Sequence, residues 1–369
     1  MNLAQRPLPK GDVKPSSNTR PSLPARGAGV EGTRFKRNLT AVALALSLAA
    51  CSSAPELPPA KPLSASPEQL AQVPAIQAGP HPVSRRTAEW RLNGEALTLR
   101  IVTPDTEQRA PLLLFSHGFA SDIDQYDVLL DHWASHGYAS IAVRHPDAGG
   151  SFKAIWTSLR MGNEALVAAR VAQLKTVLDQ LPKLDAVAPG LPARIDESRI
   201  AATGHSFGAF TVQQLGGAAA INPETGHRIE GRDPRIAAVV AISPPGEMFE
   251  IINAQSWRQM DAPMLATTGT WDVDGRFVTQ WRQHALSFET APPGDKHLLV
   301  VEGADHYLGN LICRTDRETP AQHDALRMIQ AASTAFLNAH LRVHAEPWES
   351  LGNGELARLT QEFAQLEHR

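Results

Sequence analysis

The stretch Thr203–Phe210, TGHSFGAF, places one serine between two glycines. In the Gly-x-Ser-x-Gly pattern of residues 204–208, the glycines let the backbone turn sharply from a strand into a helix. Such a turn lifts the hydroxyl of Ser206 above the sheet, at a helix N-terminus that favours developing negative charge. The pattern therefore predicts that Ser206 is a nucleophile, although the same spacing also arises by chance in glycine-containing loops.

Two further residues have the types that a serine nucleophile requires. Asp272 and His306 each follow an apolar run, in the order serine, aspartate, histidine that is known for catalytic triads on α/β sheets. The imidazole would take the serine proton, and the carboxylate would orient the imidazole and stabilise its cation. Other interpretations stay open: Asp274 could replace Asp272, Asp272 could cap a helix that begins near residue 276, and His306 could be an ordinary loop histidine.

A second loop could stabilise the oxyanion of an acyl-transfer intermediate. His117, Gly118 and Phe119 come directly after an apolar run, where this architecture supplies a backbone N–H to the oxyanion. We expect the hole to consist of the N–H groups of Phe119 and Phe207. The side chains of Phe119, Phe207 and Trp271 adjoin the predicted catalytic groups, so we assign them to the substrate pocket.

These residues need a sheet whose strand ends meet at one edge, and the chain alternates strand and helix in the way such a sheet requires. Residues 87–92 and 96–102 predict a hairpin. Apolar runs predict buried strands near 111–117, 138–144, 199–206, 235–244, 263–272 and 296–306, with helices near 122–136, 162–181, 207–220 and 321–342. The fold class is therefore α/β: a mostly parallel eight-stranded sheet with a leading antiparallel hairpin and helices on both faces.

The first 83 residues differ from the rest. A basic flank at residues 34–37 precedes a short apolar run that ends in Leu48-Ala49-Ala50-Cys51, and this segment resembles a bacterial lipoprotein signal in which Cys51 is lipidated. We therefore divide the chain into an extension and signal peptide (1–50), a flexible tether (51–83), a catalytic domain (84–345) and a C-terminal helical tail (346–369). The polar segment 220–234 is expected to be an insertion.

Composition excludes several classes of function. A net charge of −3 does not suggest a nucleic-acid-binding protein. The two cysteines form no CxxC pair, and lipidation of Cys51 would leave Cys313 without a disulfide partner. Neither a Walker A loop nor a GxGxxG motif occurs, and the sequence DVDG at 272–275 lacks the remaining acidic positions of a calcium loop. We expect no cofactor and no metal, and we expect the segment RHPD at 144–147 to be a hydrogen-bonded loop.

Between about residues 87 and 341 the chain resembles an α/β-hydrolase of the dienelactone-hydrolase-like group, and it is similar in pattern to platelet-activating-factor acetylhydrolases and to cutinase-type polyester hydrolases. The resemblance rests on FSHGFASD, WASHGYASIAVRHPD, GHSFGAF, TGTWDVD and GADHYLGN. It implies a cofactor-free serine hydrolase acting on carboxylic esters. The polyester hydrolases often carry disulfides, which this chain does not offer.

These observations predict a serine ester hydrolase acting through an acyl-enzyme. Its expected partners are a small-molecule or lipid ester and the membrane that holds the lipid anchor, and its expected location is the cell envelope, at the outer membrane facing the periplasm. Two alternatives stay open: an acyltransferase with the same triad, and a non-catalytic envelope lipoprotein that kept the fold.

Overall fold

A nine-stranded sheet forms the centre of the part of the chain that the computed structural model describes, residues 57–92, 94–275, 277–342 and 346–369. Its strands are β1 Val83–Leu92, β2 Glu95–Pro104, β3 Ala110–Ser116, β4 Ala139–Val143, β5 Ile195–His205, β8 Ile236–Ile242, β9 Met264–Gly269, β10 Lys296–Val301 and β11 Ala364–His368. Two short strands, β6 Ala219–Ile221 and β7 Arg228–Glu230, form a separate hairpin. The order across the large sheet is β1-β2-β4-β3-β5-β8-β9-β10-β11.

Helices cover both faces of this sheet. They are α1 Pro67–Leu70, α2 Asp127–Ser135, α3 Ser151–Met161, α4 Asn163–Asp179, α5 Leu191–Arg194, α6 Phe207–Leu215, α7 Leu286–Thr290, α8 His323–Leu341, α9 Glu346–Glu349 and α10 Glu355–Thr360. Three 3₁₀ helices occupy Ile123–Tyr126, Leu181–Ala186 and Trp281–Ala285. No helix among the described residues has both the length and the apolar character that a bilayer span requires.

The central strands run parallel from β4 to β10, while β1, β2 and β11 pair antiparallel at the two edges. Every residue of β3 is buried because parallel strands have packed layers on both sides. Successive side chains point to opposite faces, so Leu112 and Leu114 join one core cluster while Leu113 and Phe115 join the other. This arrangement places the carboxyl ends of β3, β5, β9 and β10 along one edge.

The predicted α/β class is confirmed, and the sheet has nine strands instead of eight. The additional strand is β11, which pairs with β10 within the segment predicted to be a helical tail, 346–369. That prediction is wrong for residues 364–368, because their backbone pairs antiparallel with the edge of β10, a long-range contact that the local sequence does not reveal. The two short helices α9 and α10 precede this strand.

Other differences concern elements whose sequence signal is local and weak. Helix α6 ends at Leu215, and part of the insertion 220–234 pairs as the hairpin β6–β7. Helix α3 was not predicted. The described part of the supposed tether, residues 57–83, is not a free linker: Val73 and Ile76 are buried in the core. The high Pro, Ala and Ser content of this segment predicts a linker, and a composition average does not report single buried apolar residues such as these.

The predictions of a signal peptide, of lipidation at Cys51 and of the first part of the tether concern residues outside the described ranges. They remain predictions. Cys313 is a buried free thiol.

A buried histidine away from the strand ends makes stability depend on pH. His132 on α2 is buried, and its Nε2 has no hydrogen-bond partner among the described residues. Burial, assisted by nearby His136, lowers the pKa of His132 to about 4. The folded pKa is below the unfolded value of about 6.5, so the unfolded chain binds more protons between these values. The stability that neutral His132 contributes is lost as pH falls through this window.

We therefore predict that His132→Gln makes the free energy of unfolding depend less steeply on pH between about 6.5 and 4, by up to about 1.4 kcal/mol per pH unit. Urea unfolding at a series of pH values measures this slope. The control is His323→Gln, which changes an exposed histidine at the start of α8. An unchanged slope in His132→Gln would contradict the prediction.

Candidate active site

Ser206 occupies the sharp turn between β5 and α6 that its flanking glycines predict. Its φ is 55° and its ψ is −125°, a backbone conformation that a non-glycine residue rarely adopts. The Ser206 N–H donates to the carbonyl of Ile242 at 2.9 Å, which ties the turn to β8. A Cβ on Gly208 would lie 2.0 Å from the carbonyl oxygen of Ser116, and one on Gly204 would lie 2.5 Å from that of Gly208. Both glycines are therefore required sterically.

Asp272 lies three residues beyond β9 and is 1% exposed. Its Oδ1 accepts a hydrogen bond from His306 Nδ1 at 2.8 Å, and Thr268 Oγ1 donates to its Oδ2 at 3.0 Å. A second imidazole, that of His284, places Nε2 2.9 Å from the same Oδ1. Burial would raise the pKa of Asp272, but the two histidines outweigh burial and hold that pKa well below its usual value. The carboxylate is therefore ionised at neutral pH.

His306 follows β10 and lies beside His205, the residue that precedes Ser206. Its carbonyl oxygen lies 2.9 Å from His205 Nε2, and the two rings have centroids 4.7 Å apart. Its Nδ1 is occupied by Asp272, and its side chain is 16% exposed. The structure thus places the predicted acid and base in direct contact at the strand edge that also carries Ser206. Asp274, the alternative acid, lies in the next turn, where its N–H donates to the Val278 carbonyl.

The buried Tyr126 links His205, which precedes Ser206, to the predicted oxyanion loop. Tyr126 Oη accepts a hydrogen bond from the Gly118 N–H at 2.9 Å and lies 3.0 Å from His205 Nδ1. His205 Nε2 faces the His306 carbonyl, so it must donate, and Nδ1 then accepts from the tyrosine hydroxyl. Burial, followed by the proximity of His306, lowers the pKa of His205 well below its usual value, which keeps this ring neutral.

A buried ion pair contacts the predicted oxyanion loop and stabilises its position. The Arg170 and Asp147 side chains are 0% exposed and meet through two hydrogen bonds of 2.6 and 3.0 Å. Arg170 also donates to the His117 carbonyl at 2.8 Å and lies 4.8 Å from the centre of the Phe207 ring. Burial would raise the pKa of Asp147, but Arg170 outweighs burial and lowers it. The Arg170 guanidinium therefore contacts both the predicted oxyanion loop, at His117, and the ring of Phe207.

The backbone N–H groups of Phe119 and Phe207 are available for an oxyanion. Phe207 is the first residue of α6, where amides have no partner within the helix. Within the described residues, no acceptor binds the N–H of Phe119. Two hydrogen bonds hold the loop in place: neutral His117 donates from Nδ1 to the Gly118 carbonyl at 2.7 Å and accepts the His145 N–H at Nε2. Burial, then Arg170, lowers the pKa of His117 to about 4.

The residues predicted to line the substrate pocket separate into two groups. Phe119 and Phe207 pack edge to face, with Phe249 completing the cluster at centroid distances of 6.1 and 4.3 Å. The Phe207 side chain is fully buried, so Phe119 and Phe249 form the more exposed part. Trp271 instead donates its Nε1–H to the Pro58 carbonyl at 2.6 Å. Its indole therefore binds the N-terminal segment.

The segment RHPD is a hydrogen-bonded loop, as predicted. Arg144 binds Asp122, and His145 lies 2.8 Å from both the Ser116 hydroxyl and the Gln173 side chain. Asp147 is paired with Arg170. The loop braces the strand end that precedes the oxyanion residues.

Sequence reasoning missed His284, Tyr126 and Arg170. Arg170 had a detectable signal, because it falls on the buried face of α4 between Val167 and Leu174. A charged residue on such a face needs a buried partner. His284 and Tyr126 carry no comparable signal, since their importance comes from contacts with Asp272 and His205, which lie in other segments of the chain.

Comparison with known proteins supports the architecture. A family model described as chlorophyllase matches residues 72–244, a span that includes Ser206 but ends before Asp272 and His306. Platelet-activating factor acetylhydrolase of Cavia porcellus is 22% identical over 309 residues, which cover 70% of this chain and 64% of that protein. The chain thus spans less than two thirds of the length of this relative. These similarities and the sheet together show the α/β-hydrolase fold.

We predict that Arg170→Met lowers the free energy of unfolding by about 3–5 kcal/mol, because it leaves the Asp147 carboxylate buried without its partner. Arg358→Met is the matched control, since Arg358 pairs with Glu355 at the surface and such pairs contribute about 0–1 kcal/mol. Urea unfolding of both variants measures the difference. Equal losses of unfolding free energy in the two variants would contradict the prediction that the buried pair contributes more to stability than the surface pair.

Proposed function

We propose that this chain, which has the α/β-hydrolase fold, is a serine hydrolase that cleaves carboxylic esters through an acyl-enzyme. The observation that carries the proposal is the hydrogen bond from His306 Nδ1 to the buried Asp272, at the strand edge where Ser206 sits on its strained turn. The similarity to a hydrolase of platelet-activating factor supports the same class of reaction.

In the proposed reaction, Ser206 Oγ attacks the ester carbonyl while His306 Nε2 takes its proton. Asp272 holds Nδ1 protonated and stabilises the imidazolium that forms. The N–H groups of Phe119 and Phe207 bind the oxyanion, and each such donor contributes about 3–4 kcal/mol to the transition state. His306 then gives its proton to the leaving alcohol, activates a water molecule, and the acyl-enzyme is hydrolysed.

Two other functions remain open: an acyltransferase that uses the same catalytic residues, and a lipoprotein that uses none of them for catalysis. An acyltransferase would pass the acyl group from Ser206 to an alcohol, which requires that water compete poorly for the acyl-enzyme. A non-catalytic lipoprotein would keep the fold without turnover. The hydrogen bond between His306 Nδ1 and Asp272 supports a working site, because it fixes the tautomer in which His306 Nε2 can accept a proton.

For the substrate, helix α3 favours lipid esters presented at an apolar surface. Five of its large apolar side chains are exposed, with Phe152 and Trp156 at 87% and 62% and with Ile155, Leu159 and Met161 beside them. The ionisable residues of this helix are basic, Lys153 and Arg160. An amphipathic helix of this composition binds lipid surfaces through its apolar face.

The base of α3 is tied to the oxyanion loop, so a lipid surface bound there would lie near the site. The N–H groups of Gly149 and Gly150 donate to the carbonyls of Ser121 and Ala120, at 3.2 and 2.9 Å. The proposed lipid anchor at Cys51 and the proposed location at the outer membrane are consistent with such a substrate.

We predict that Ser206→Ala lowers kcat for p-nitrophenyl esters by at least about a thousandfold, because the nucleophile is lost. Ser198→Ala, at an exposed position near the start of β5, is the matched control and should retain full activity. A ladder of acyl-chain lengths gives the chain preference, and added alcohol tests for acyl transfer by diverting product from acid to ester. Equal rates for Ser206→Ala and the wild type would refute the proposed function.

We also predict that the double variant Phe152→Ser/Trp156→Ser loses at least about tenfold in kcat/KM for a phospholipid ester in vesicles, because its apolar contact area is lost. The same variant should hydrolyse soluble p-nitrophenyl acetate at the wild-type rate, which serves as the internal control. An equal effect on both substrates would point to damage at the site and would contradict a role in surface binding.

A further inference from the structure

The Asp272 carboxylate has a second imidazole partner that the proposed mechanism does not use. His284 belongs to the 3₁₀ helix Trp281–Ala285 and is 1% exposed. Its Nε2 lies 2.9 Å from Asp272 Oδ1, the oxygen that also accepts the hydrogen bond from His306. Asp272 therefore joins two histidines that come from different loops.

Both ring nitrogens of His284 face hydrogen-bond acceptors. Nδ1 lies 2.6 Å from the carbonyl oxygen of Pro244, and Nε2 faces the ionised carboxylate. Neither a carbonyl oxygen nor a carboxylate can donate. A neutral imidazole carries a single N–H, so one of these two short contacts would oppose two lone pairs. Only the doubly protonated ring satisfies both contacts.

We propose that His284 is a positioning residue that carries a permanent positive charge: a buried imidazolium that fixes Asp272 and acts electrostatically on His306. Its effect on catalysis rests on the proposed ester hydrolysis, whereas its charge does not. It extends the predicted triad by one member, which contacts Asp272.

The groups around His284 make the direction of its effect clear. Asp272 faces it from the loop after β9, and the His306 ring, from the loop after β10, has its centroid 5.4 Å away. The neutral His205 ring lies beyond His306 at the end of β5. A fixed cation at this distance disfavours a second positive charge on His306.

The surroundings also stabilise the charge on His284. Burial would lower the pKa of His284, but the attraction of Asp272 and the hydrogen bonds to Asp272 and the Pro244 carbonyl outweigh burial and raise that pKa above its usual value. The ion pair is buried on both sides, so solvent screens it weakly.

The charge can be tested without any substrate. In the intact protein labelled with ¹⁵N-histidine, long-range ¹H–¹⁵N correlation spectra at pH 8 should show one ring with two protonated nitrogens. That ring should disappear from the spectrum of His284→Gln, and His132→Gln, which changes another buried histidine, should retain it. A His284 ring with a single N–H at pH 8 would overturn the proposal.

The effect on His306 is tested by the pH dependence of kcat/KM for a soluble p-nitrophenyl ester. His284→Gln keeps a donor for Asp272 but removes the charge. We expect the acidic limb of its profile to move to higher pH by about one unit, which is about a tenfold loss below pH 6, with a much smaller loss above pH 8. His132→Gln should keep the wild-type profile.

A purely structural role for His284 gives a different result, namely the same fractional loss at every pH, and that result would overturn the proposed role. Should His284→Gln fail to fold, His284→Asn replaces it, and the wild-type spectrum still decides the charge. Loss of both ring N–H signals on adding Zn²⁺ at a micromolar concentration would assign the Asp272, His284 and His306 cluster to a metal and would also overturn it. If the wild type hydrolyses no ester, the proposed function fails, while the spectrum still decides the charge of His284.

Discussion

The carboxylate of Asp272 accepts hydrogen bonds from the side chains of Thr268, His284 and His306, which come from strand β9 and from two other segments of the chain. At 1% exposure, an unpaired carboxylate in this position would be costly. The partners are therefore a condition of folding as well as of any chemistry. The loop after β9, the 3₁₀ helix Trp281–Ala285 and the loop after β10 are held together by this one group.

A second buried charge has the same effect on the other side of the candidate site. Arg170, from the middle of α4, reaches Asp147 and the carbonyl of His117, so a helix and two strand ends meet at one guanidinium. Its planar set of donors suits several acceptors at once, which a lysine could not match. The loop that carries Phe119 is thus positioned by contacts that lie outside its own sequence.

Tyr126 and His205 connect these two centres. The hydroxyl of Tyr126 joins the Gly118 N–H to His205, and His205 joins the carbonyl of His306. The contacts run through neutral groups whose donor and acceptor roles are determined by their partners. Because Tyr126 and His205 are fully buried and hydrogen-bonded, the link between the two centres does not depend on an exposed side chain.

The sequence by itself determined the alternation of strand and helix, the turn at Ser206 and the candidate roles of Asp272 and His306. Apolar runs such as 111–117 report burial on both faces of a strand, and the glycines at 204 and 208 report a turn that excludes a Cβ. These signals are local, since each depends on residues that are neighbours in the chain.

The tertiary structure decided which distant residues pair or pack together, because local sequence patterns do not contain that information. Strand β11 forms by backbone pairing with the edge strand β10, and Val73 is buried by packing against the core cluster. The choice of Asp272 over Asp274 depends on which carboxylate reaches His306. The position of His284 depends on a loop that folds back over Asp272 from twelve residues further along the chain. Long-range hydrogen bonds and packing select these partners, and their energies depend on distances that exist only once the sheet has formed.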